Sequence, residues 1–554
     1  VNQNLGQLFR NRLKTGLQRQ SIQSCSQWAE LYRVMGPPFP GPYSFLHHPW
    51  TREAHDCPAE LLVCKKAAQT GFTEAALNRA FYTIDILGSN VLYYLPTSTP
   101  DATNFSAARF DPALDMSPHL QNLFSDVRNV GHKRAGNASL FIRGARSRSQ
   151  AKSVPASEMI FDELDEMNPE IVVLARERTS GQNIAREMML STPTIEDHGI
   201  DVYWQQSSMD KYFFKCPHCG KFDYLRFPES LVITAEKEND PRLEESHLIC
   251  THCKGVLDNE EKPIWLAESN CQWVPEVSDA PVRGLGVNQL YSMAYRARPA
   301  VIAGKVIRAS NDPVEEQELY NSKLGECHTV DGAKVLESDV KDAIGGSSKI
   351  DRVTRPGWYT MGVDVGPKWL YVEITEYLRT SNKKIVYDYS NSTIAQVIQE
   401  CKVEQFEELD DLMRKFRITH CVIDAQPEAR KAMEFAQRFF GIVSLCFYAD
   451  ATATKFIRED REKMTISVGR TPWLDSSLMR FKRGTIRLPA DISLDYKNHM
   501  QALTRIYEKD SQGNPTGRYV CGSKQDHFAH ARNYSEIALE LALKGGSSQD
   551  MDKI

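Results

Sequence analysis

Residues 61–74 read LLVCKKAAQTGFTE. An apolar run ends in two lysines, a turn of small residues follows, and EAALNRAFYTIDI (74–86) then carries helical periodicity. Strand, turn and helix in that order make a phosphate cradle. Backbone N–H groups point at an anion, a cation meets the β- and γ-phosphates, and a hydroxyl meets magnesium. The usual frame, G-x-x-x-x-G-K-[ST], would put lysine after Gly71, where this chain has Phe72. Thr73 stands at the hydroxyl position. Lys66 takes the first position of the eight-residue frame, normally glycine, from which a side chain can curl back to the phosphates. Alone, the stretch reads more readily as a surface turn with two lysines.

A second motif changes that balance. SEMIFDELDEM (157–167) sets an apolar strand before Asp162 and Glu163. An aspartate at a strand end for Mg²⁺, followed by a glutamate to polarise the attacking water, is the expected partner of a phosphate loop. MMLSTPT (188–194) is a further apolar strand, ending in the small hydroxyl residues Ser191 and Thr192, and resembles the segment that in motor ATPases senses the γ-phosphate and couples hydrolysis to movement. Five runs read as strands: LLVCK (61–65), VLYYLP (91–96), SLFIRGA (139–145), MIFDE (159–163) and MMLST (188–192). Their alternation with helical sequence predicts a mostly parallel sheet with helices on its faces.

Outward from this block, 554 residues are too many for one ordinary core and predict at least two domains. Hydrophobic residues at 41% and charged residues at 25% describe a soluble globular protein without a membrane-length apolar run. The N-terminal stretch lacks the apolar core of a signal peptide. A net charge of -5 excludes blanket affinity for nucleic acid but leaves room for a local basic groove. Of thirteen cysteines, nine are scattered singly, several inside apolar runs, which fits a reducing compartment. The other four, Cys216, Cys219, Cys250 and Cys253, form two C-x-x-C pairs separated by thirty residues, the donor set of a closed tetrahedral Zn²⁺ site. Gly220 and Gly255 permit the tight knuckle turns, and four thiolates leave no open position for catalysis. His218 and His252 read as surface residues.

From residue 356 a second α/β block begins. WYTMGVDVG, LYVEITEYL and KKIVYDYS read as three strands of a meander, and helical sequence then leads to the strand HCVIDAQ (420–426). Asp364 lies on the first strand, Asp424 ends the fourth, and Asp526 opens a final helix beginning HFAHARNYSEIALELAL. Carboxylates from strands one and four and a last helix match the ribonuclease-H-like scheme, in which two Mg²⁺ or Mn²⁺ ions activate water and stabilise the leaving oxygen of a phosphodiester. Weaker candidates are Glu373 as a fourth acid and His527 as a ligand or proton donor. MRFKRGTIRLP (479–489) reads as a basic hairpin carrying Arg480, Lys482 and Arg483.

KKAAQTGFTE with its early lysine, IFDELDEM and LSTPT, in this order, resemble the large terminase subunit of tailed bacteriophages, in the lambda-like branch known for the displaced lysine. The resemblance implies an ATP-driven motor that packages double-stranded DNA into a procapsid and a C-terminal metal-dependent nuclease that cuts concatemeric DNA. It implies ATP and Mg²⁺ (or Mn²⁺) as cofactors. A small terminase subunit, the portal protein and further copies of the chain in a ring are the implied partners, and the host cytoplasm and portal vertex the implied location. It also implies an adenine-contacting segment upstream, for which HPWTREAHD (48–56) is the candidate. Arg109 and Arg178 are both candidates for a charge-stabilising arginine. VNQLYS (287–292) and YNSKLGE (320–326) continue the match.

The expected organisation is an N-terminal segment (1–45), a P-loop ATPase core of the ASCE type (46–205), a zinc ribbon (206–275), a connector ending near GGSSK (276–350), a ribonuclease-H-like nuclease (351–544) and a disordered tail (545–554). A translocase or helicase without nuclease activity, and a zinc-stabilised nuclease with a degenerate nucleotide fold, are the alternatives.

Overall fold

The computed structural model describes residues 24–125, 127–151, 154–179, 181, 185–379, 393–449, 455–510, 512–522 and 524–545. The chain divides into two compact units after His328.

The first unit is built on parallel strands β1 (Leu61–Lys66), β2 (Val91–Leu95), β3 (Ala138–Gly144), β4 (Glu158–Asp162), β5 (Arg186–Ser191), β6 (Asp210–Lys215) and β7 (Arg283–Val287). Their order is β6-β7-β1-β5-β4-β2-β3, and every neighbouring pair is parallel. The central strands are near-continuous apolar runs because helices cover both faces. Leu62, Val63, Cys64, Met159, Ile160, Phe161, Met188, Met189 and Leu190 are all fully buried. Helices α1 (Thr51–Asp56), α2 (Phe72–Asp85) and α3 (Pro169–Arg176) precede β1, follow β1 and follow β4 respectively. Register aligns Lys65 with Ser191 and Asp162 with Leu190, so the carboxyl ends of β1, β5 and β4 form one rim, the usual ligand edge of such a sheet.

Two expected boundaries differ from the structure. Residues 276–350 do not form a free connector: they supply β7, which lies directly beside β1. Residues 206–275 begin with β6, a strand of the same sheet, so the cysteine-bearing segment grows out of the first unit's edge.

The second unit contains β8 (Trp358–Val365), β9 (Leu370–Arg379), β10 (Thr393–Val403), β11 (His420–Asp424), β12 (Val443–Ala449), β13 (Ile457–Asp460), β14 (Thr465–Gly469) and β15 (Ile486–Arg487). The sheet order is β13-β14-β12-β11-β8-β9-β10-β15. β8, β9 and β10 form an antiparallel meander, and β11 and β12 add parallel to β8. The expected third meander strand, KKIVYDYS (383–390), lies outside the described residues. The strand paired with β9 is TIAQVIQECKV, read from the sequence as the start of helical residues, and the helix α4 begins only at Phe406 (Phe406–Lys415). After β11 comes α5 (Ala429–Arg438), and α6 (Arg470–Lys482) follows β14.

The last helix, α7 (His527–Gly545), crosses β8 in direct backbone contact. A Cβ added at Gly362 would sit 1.9 Å from the Ala531 carbonyl oxygen and 2.4 Å from the Ser535 nitrogen, so only glycine fits there. Beneath α7 lies a buried ion network. Arg532 bonds Glu373 (2.7 Å) and Glu536, and Arg480 bonds Glu536 at 2.8 Å through both Nε and Nη2. Tyr496 and Tyr377 add hydroxyl donors to Glu373 and Glu536. Glu373 is therefore a structural residue. Arg480 is no hairpin cation either: it sits near the end of α6 and is 1% exposed.

Candidate nucleotide, metal and acidic sites

At the first unit's rim, Gly71 caps α2 with φ +86°, a left-handed turn that a side chain would strain, and an added Cβ would meet His48 at 3.0 Å. The first amides of α2, Phe72 to Glu74, have no carbonyl within the helix to receive them and form an anion-binding end. Lys66, 5% exposed, reaches from the end of β1 to Glu163 (Nζ–Oε1 3.2 Å). Burial alone would lower its pKa, but Glu163 and Asp162 outweigh that and raise it. Lys65 points to the other face, as alternation requires, and pairs with Asp201 at 3.0 Å.

Asp162 ends β4, fully buried, and accepts a hydrogen bond from Tyr93 at 2.7 Å. Burial and the neighbouring Glu163 raise its pKa to about 6, against the pull of Lys66, Tyr93 and Thr73. Its Oδ1 makes no well-formed hydrogen bond, an orphaned buried oxygen beside the Thr73 hydroxyl that suits a hard cation. Glu163 follows in the left-handed region (φ 61°) with its side chain half exposed, aimed into a cleft of about 820 Å³. Arg109 and Arg146 line the same cleft, and Arg109 lies 3.8 Å from Glu74. Arg178 is beside Tyr94, on the face of β2 turned away from Tyr93 and Asp162.

Ser191 Oγ accepts from the Asp165 amide at 3.2 Å and Thr192 follows it out of the sheet. Asp165, which the sequence reading passed over, accepts from Thr194 and from the Ile200 amide, tying the strand ends together. The segment 48–56 packs on the loop: Trp50 donates to the Thr70 carbonyl at 2.7 Å, and burial pushes the His48 imidazole down to about 4.

The four cysteine sulfurs lie within 4.8 Å of one another, the single group of that kind among the described residues. Cys216–Cys253 and Cys219–Cys250 are 3.8 and 4.0 Å apart, close to the ~3.8 Å edge of a tetrahedron with ~2.3 Å zinc–sulfur bonds. Gly220 (φ +71°) turns the first knuckle, whereas Lys254 (φ 60°) turns the second, and Gly255 is needed for its close approach to His218. His218 and His252 cross-link the knuckles, bonding the Val256 and Phe222 carbonyls at 2.7 and 3.2 Å.

In the second unit, β8 and β11 carry Asp364 and Asp424 to adjacent strand ends, one step beyond the pair Val363–Ile423. Burial raises the Asp424 pKa, and the Asp364 charge adds to it. Asp526 precedes α7 with its carboxylate 3.3 Å from His530. Although burial opposes it, His530, Arg470 and His527 hold Asp526 down to about 2. His527 bonds Asp364 at 2.8 Å and stacks on Tyr371; burial lowers its pKa, but Asp364 overrides this and raises it. His530 also contacts Tyr448 (3.1 Å) and Arg470 (3.4 Å). Sequence reasoning missed His530 and Arg470, although His530 stands one helical turn after Asp526.

Fold and rim geometry define a mixed α/β chain whose first unit sets a strand–turn–helix junction against an acidic strand end. Residues 38–273 match the family described as phage terminase large subunit gpA, ATPase domain. The chain is 22% identical over 226 residues to the large terminase subunit of Enterobacteria phage P21, covering 38% of this chain and 34% of that protein. The matched stretch thus spans about a third of that relative's length. The crystal structure of the HK97 bacteriophage large terminase aligns over 93% of this chain and 98% of its own, at 11% identity and TM-score 0.47. The magnesium-bound large terminase nuclease of phage G20c aligns over 37% and 96%, at 12% identity and TM-score 0.24. The chain resembles a large terminase subunit of the gpA type. No helix among the described residues is long and apolar enough to cross a membrane.

Proposed function

We propose that this chain is a phage DNA-packaging motor and nuclease: it hydrolyses ATP to drive double-stranded DNA into a procapsid and cuts concatemeric DNA. The observation that carries the reading is the 3.2 Å pair between Lys66 and Glu163 across β1 and β4. Glu163 holds the lysine at the mouth of the cradle. An arriving γ-phosphate competes for that cation, and the carboxylate set free is then placed to orient water. Thr73 and Asp162 are the residues that would hold Mg²⁺, which when bound neutralises charge on the β- and γ-phosphates. Ser191, bonded to the Asp165 amide of the acidic turn, and Thr192 after it would pass a change in that turn to β5.

In the second unit Asp364, Asp424 and Asp526 would hold Mg²⁺ or Mn²⁺, which when bound activates water and stabilises the leaving oxygen. His527 orients Asp364, and His530 with Arg470 keeps Asp526 charged. The four cysteines would hold a structural Zn²⁺, the ~3.8 Å sulfur spacing fitting that ion. The ATPase core, zinc ribbon and nuclease, the small terminase subunit, the portal protein, a homo-oligomeric ring and action in the host cytoplasm belong to the same proposal.

The test is twofold: DNA-stimulated ATP hydrolysis, and cutting of supercoiled plasmid with Mg²⁺ or Mn²⁺. Lys66→Ala is expected to abolish the first and Asp364→Ala the second. Hydrolysis with no cutting by the unaltered chain would leave a translocase; cutting with no hydrolysis would leave a nuclease.

A further inference from the structure

The cysteine knuckle is physically continuous with the phosphate loop. Leu225 lies a few residues beyond the first cysteine pair, and both its backbone groups are gripped by side chains of one short segment. Its amide donates to the Tyr291 hydroxyl at 2.9 Å, and its carbonyl accepts from Asn288 Nδ2 at 2.8 Å. The Tyr291 hydroxyl in turn donates to the Tyr212 carbonyl on β6.

The same segment grips the loop on its other side. The Val287 carbonyl accepts from the Ala67 amide at 2.9 Å, and Gln289 Nε2 donates to the Ala68 carbonyl at 2.8 Å. Trp50, which holds the Thr70 carbonyl, packs edge-on against Tyr291 and Tyr212 at 6.0 and 6.3 Å. Residues 287–291 therefore stand between knuckle and loop with hydrogen bonds to both. The knuckle's halves are bound to each other, Asp223 accepting from the Thr251 amide at 2.7 Å, and the buried cysteines Cys216 and Cys250 share one apolar core with Leu225, Tyr291 and Leu62.

We infer that the four-cysteine knuckle positions the phosphate loop through Asn288 and Tyr291, so that nucleotide affinity depends on the metal in the knuckle. This rests on the reading of the loop as a nucleotide site. The mechanical argument is that a cradle works by pre-set amides. Leu225 keeps its place only while the knuckle is closed, and Asn288 and Tyr291 transmit that place to Val287 and Gln289. Neither Asn288 nor Tyr291 bonds the loop itself, so each is a positioning residue.

The test is calorimetric binding of ADP with Mg²⁺ to the full chain, with bound zinc measured on the same samples. Tyr291→Phe removes one hydroxyl and no volume; with zinc content unchanged it is expected to weaken ADP binding about threefold to tenfold. Cys219→Ser is expected to lose zinc and weaken binding at least as much. The double variant decides the matter: if the two act through one path, Tyr291→Phe adds little in the Cys219→Ser background. Independent, multiplying effects, or unaltered affinity in Tyr291→Phe, overturn the inference. Lys66→Ala serves as the reference for the site itself. If the unaltered chain binds no ADP, the nucleotide reading falls, and this inference with it. Should Cys219→Ser not fold, Asn288→Ala replaces it, with amide exchange of residues 61–73 as the readout, expected to quicken.

Discussion

Two carboxylate pairs, one in each unit, each set a buried acid against basic side chains and end in opposite electrostatic states. In the first unit Asp162 is fully buried with Glu163 beside it, and one lysine serves both. In the second, Glu373 and Glu536 are equally buried but share Arg532 and Arg480, with two tyrosine hydroxyls closing the remaining valences. Asp162 is pushed up to about 6, its charge poorly compensated; at Glu536 burial also opposes the charge, but Arg480 and Arg532 prevail and lower its pKa. In the first cluster the poorly compensated Asp162 has charge to offer an arriving cation, and in the second the doubly paired Glu536 holds a helix to a sheet. On the proposed reading the first cluster is a working site and the second a structural one, and what differs between them is compensation of charge; Asp526, held down to about 2 by its cationic neighbours, lies outside that contrast.

The hardest blow to the structural cluster is Arg532→Ala. It leaves Glu373 and Glu536 buried without their shared cation and should cost about 3–5 kcal/mol, read as a drop in the urea midpoint of the second unit's transition. Asp364→Asn tests whether the neighbouring acidic site belongs to the working class. Plasmid cutting should fall by about 100-fold or more, near 2.7 kcal/mol of barrier, while the urea midpoint barely moves. A large stability loss instead would place Asp364 with Glu373.

Asp162→Asn should do the reverse of Arg532→Ala. With nucleotide absent, relieving an under-compensated charge is expected to stabilise the first unit by on the order of 1–3 kcal/mol at pH 7 while ATP hydrolysis is lost; thermal melting checks the sign. The smallest effect is in pH. Because the folded pKa of Asp162 lies above its ordinary 3.8, its contribution is full below about pH 4 and is lost as pH rises through about 6. Glu536, held below its ordinary 4.5, contributes above that value and loses it as pH falls through the depressed one. Melting curves from pH 3 to 7 should therefore show the two units' stabilities moving in opposite directions, and Asp162→Asn should flatten the first.

The sequence makes the first rim readable because β1, β4 and β5 are buried on both faces and so appear as unbroken apolar runs ending in Lys66, Asp162 and Ser191. What it hides has physical reasons. β7 reads RGLGV, and its two glycines erase any alternation. They are there because a Cβ at Gly284 would meet Ser207 at 2.0 Å and one at Gly286 would meet Trp204 at 2.8 Å. β10, TIAQVIQECKV, satisfies a helical period as well as a strand's, and only pairing with β9 decides. The true role of Glu373 rests on Arg532, 159 residues away on another element, and no local pattern carries that. Asp165 and His530 stand next to recognised motifs and act by supporting them, which spacing alone does not announce.

The contact of α7 with β8 at Gly362 also sets an order in time. Asp364 and His527 touch across 163 residues of chain, and Asp526 belongs to that same late segment. A ribosome that has made β8 and β11 has made two of the three acids but not the helix that brings the third. During synthesis the acidic site therefore stays incomplete through nearly the whole second unit. On the proposed reading, a nascent chain completes the residues of its nucleotide site long before it has completed those of its nuclease.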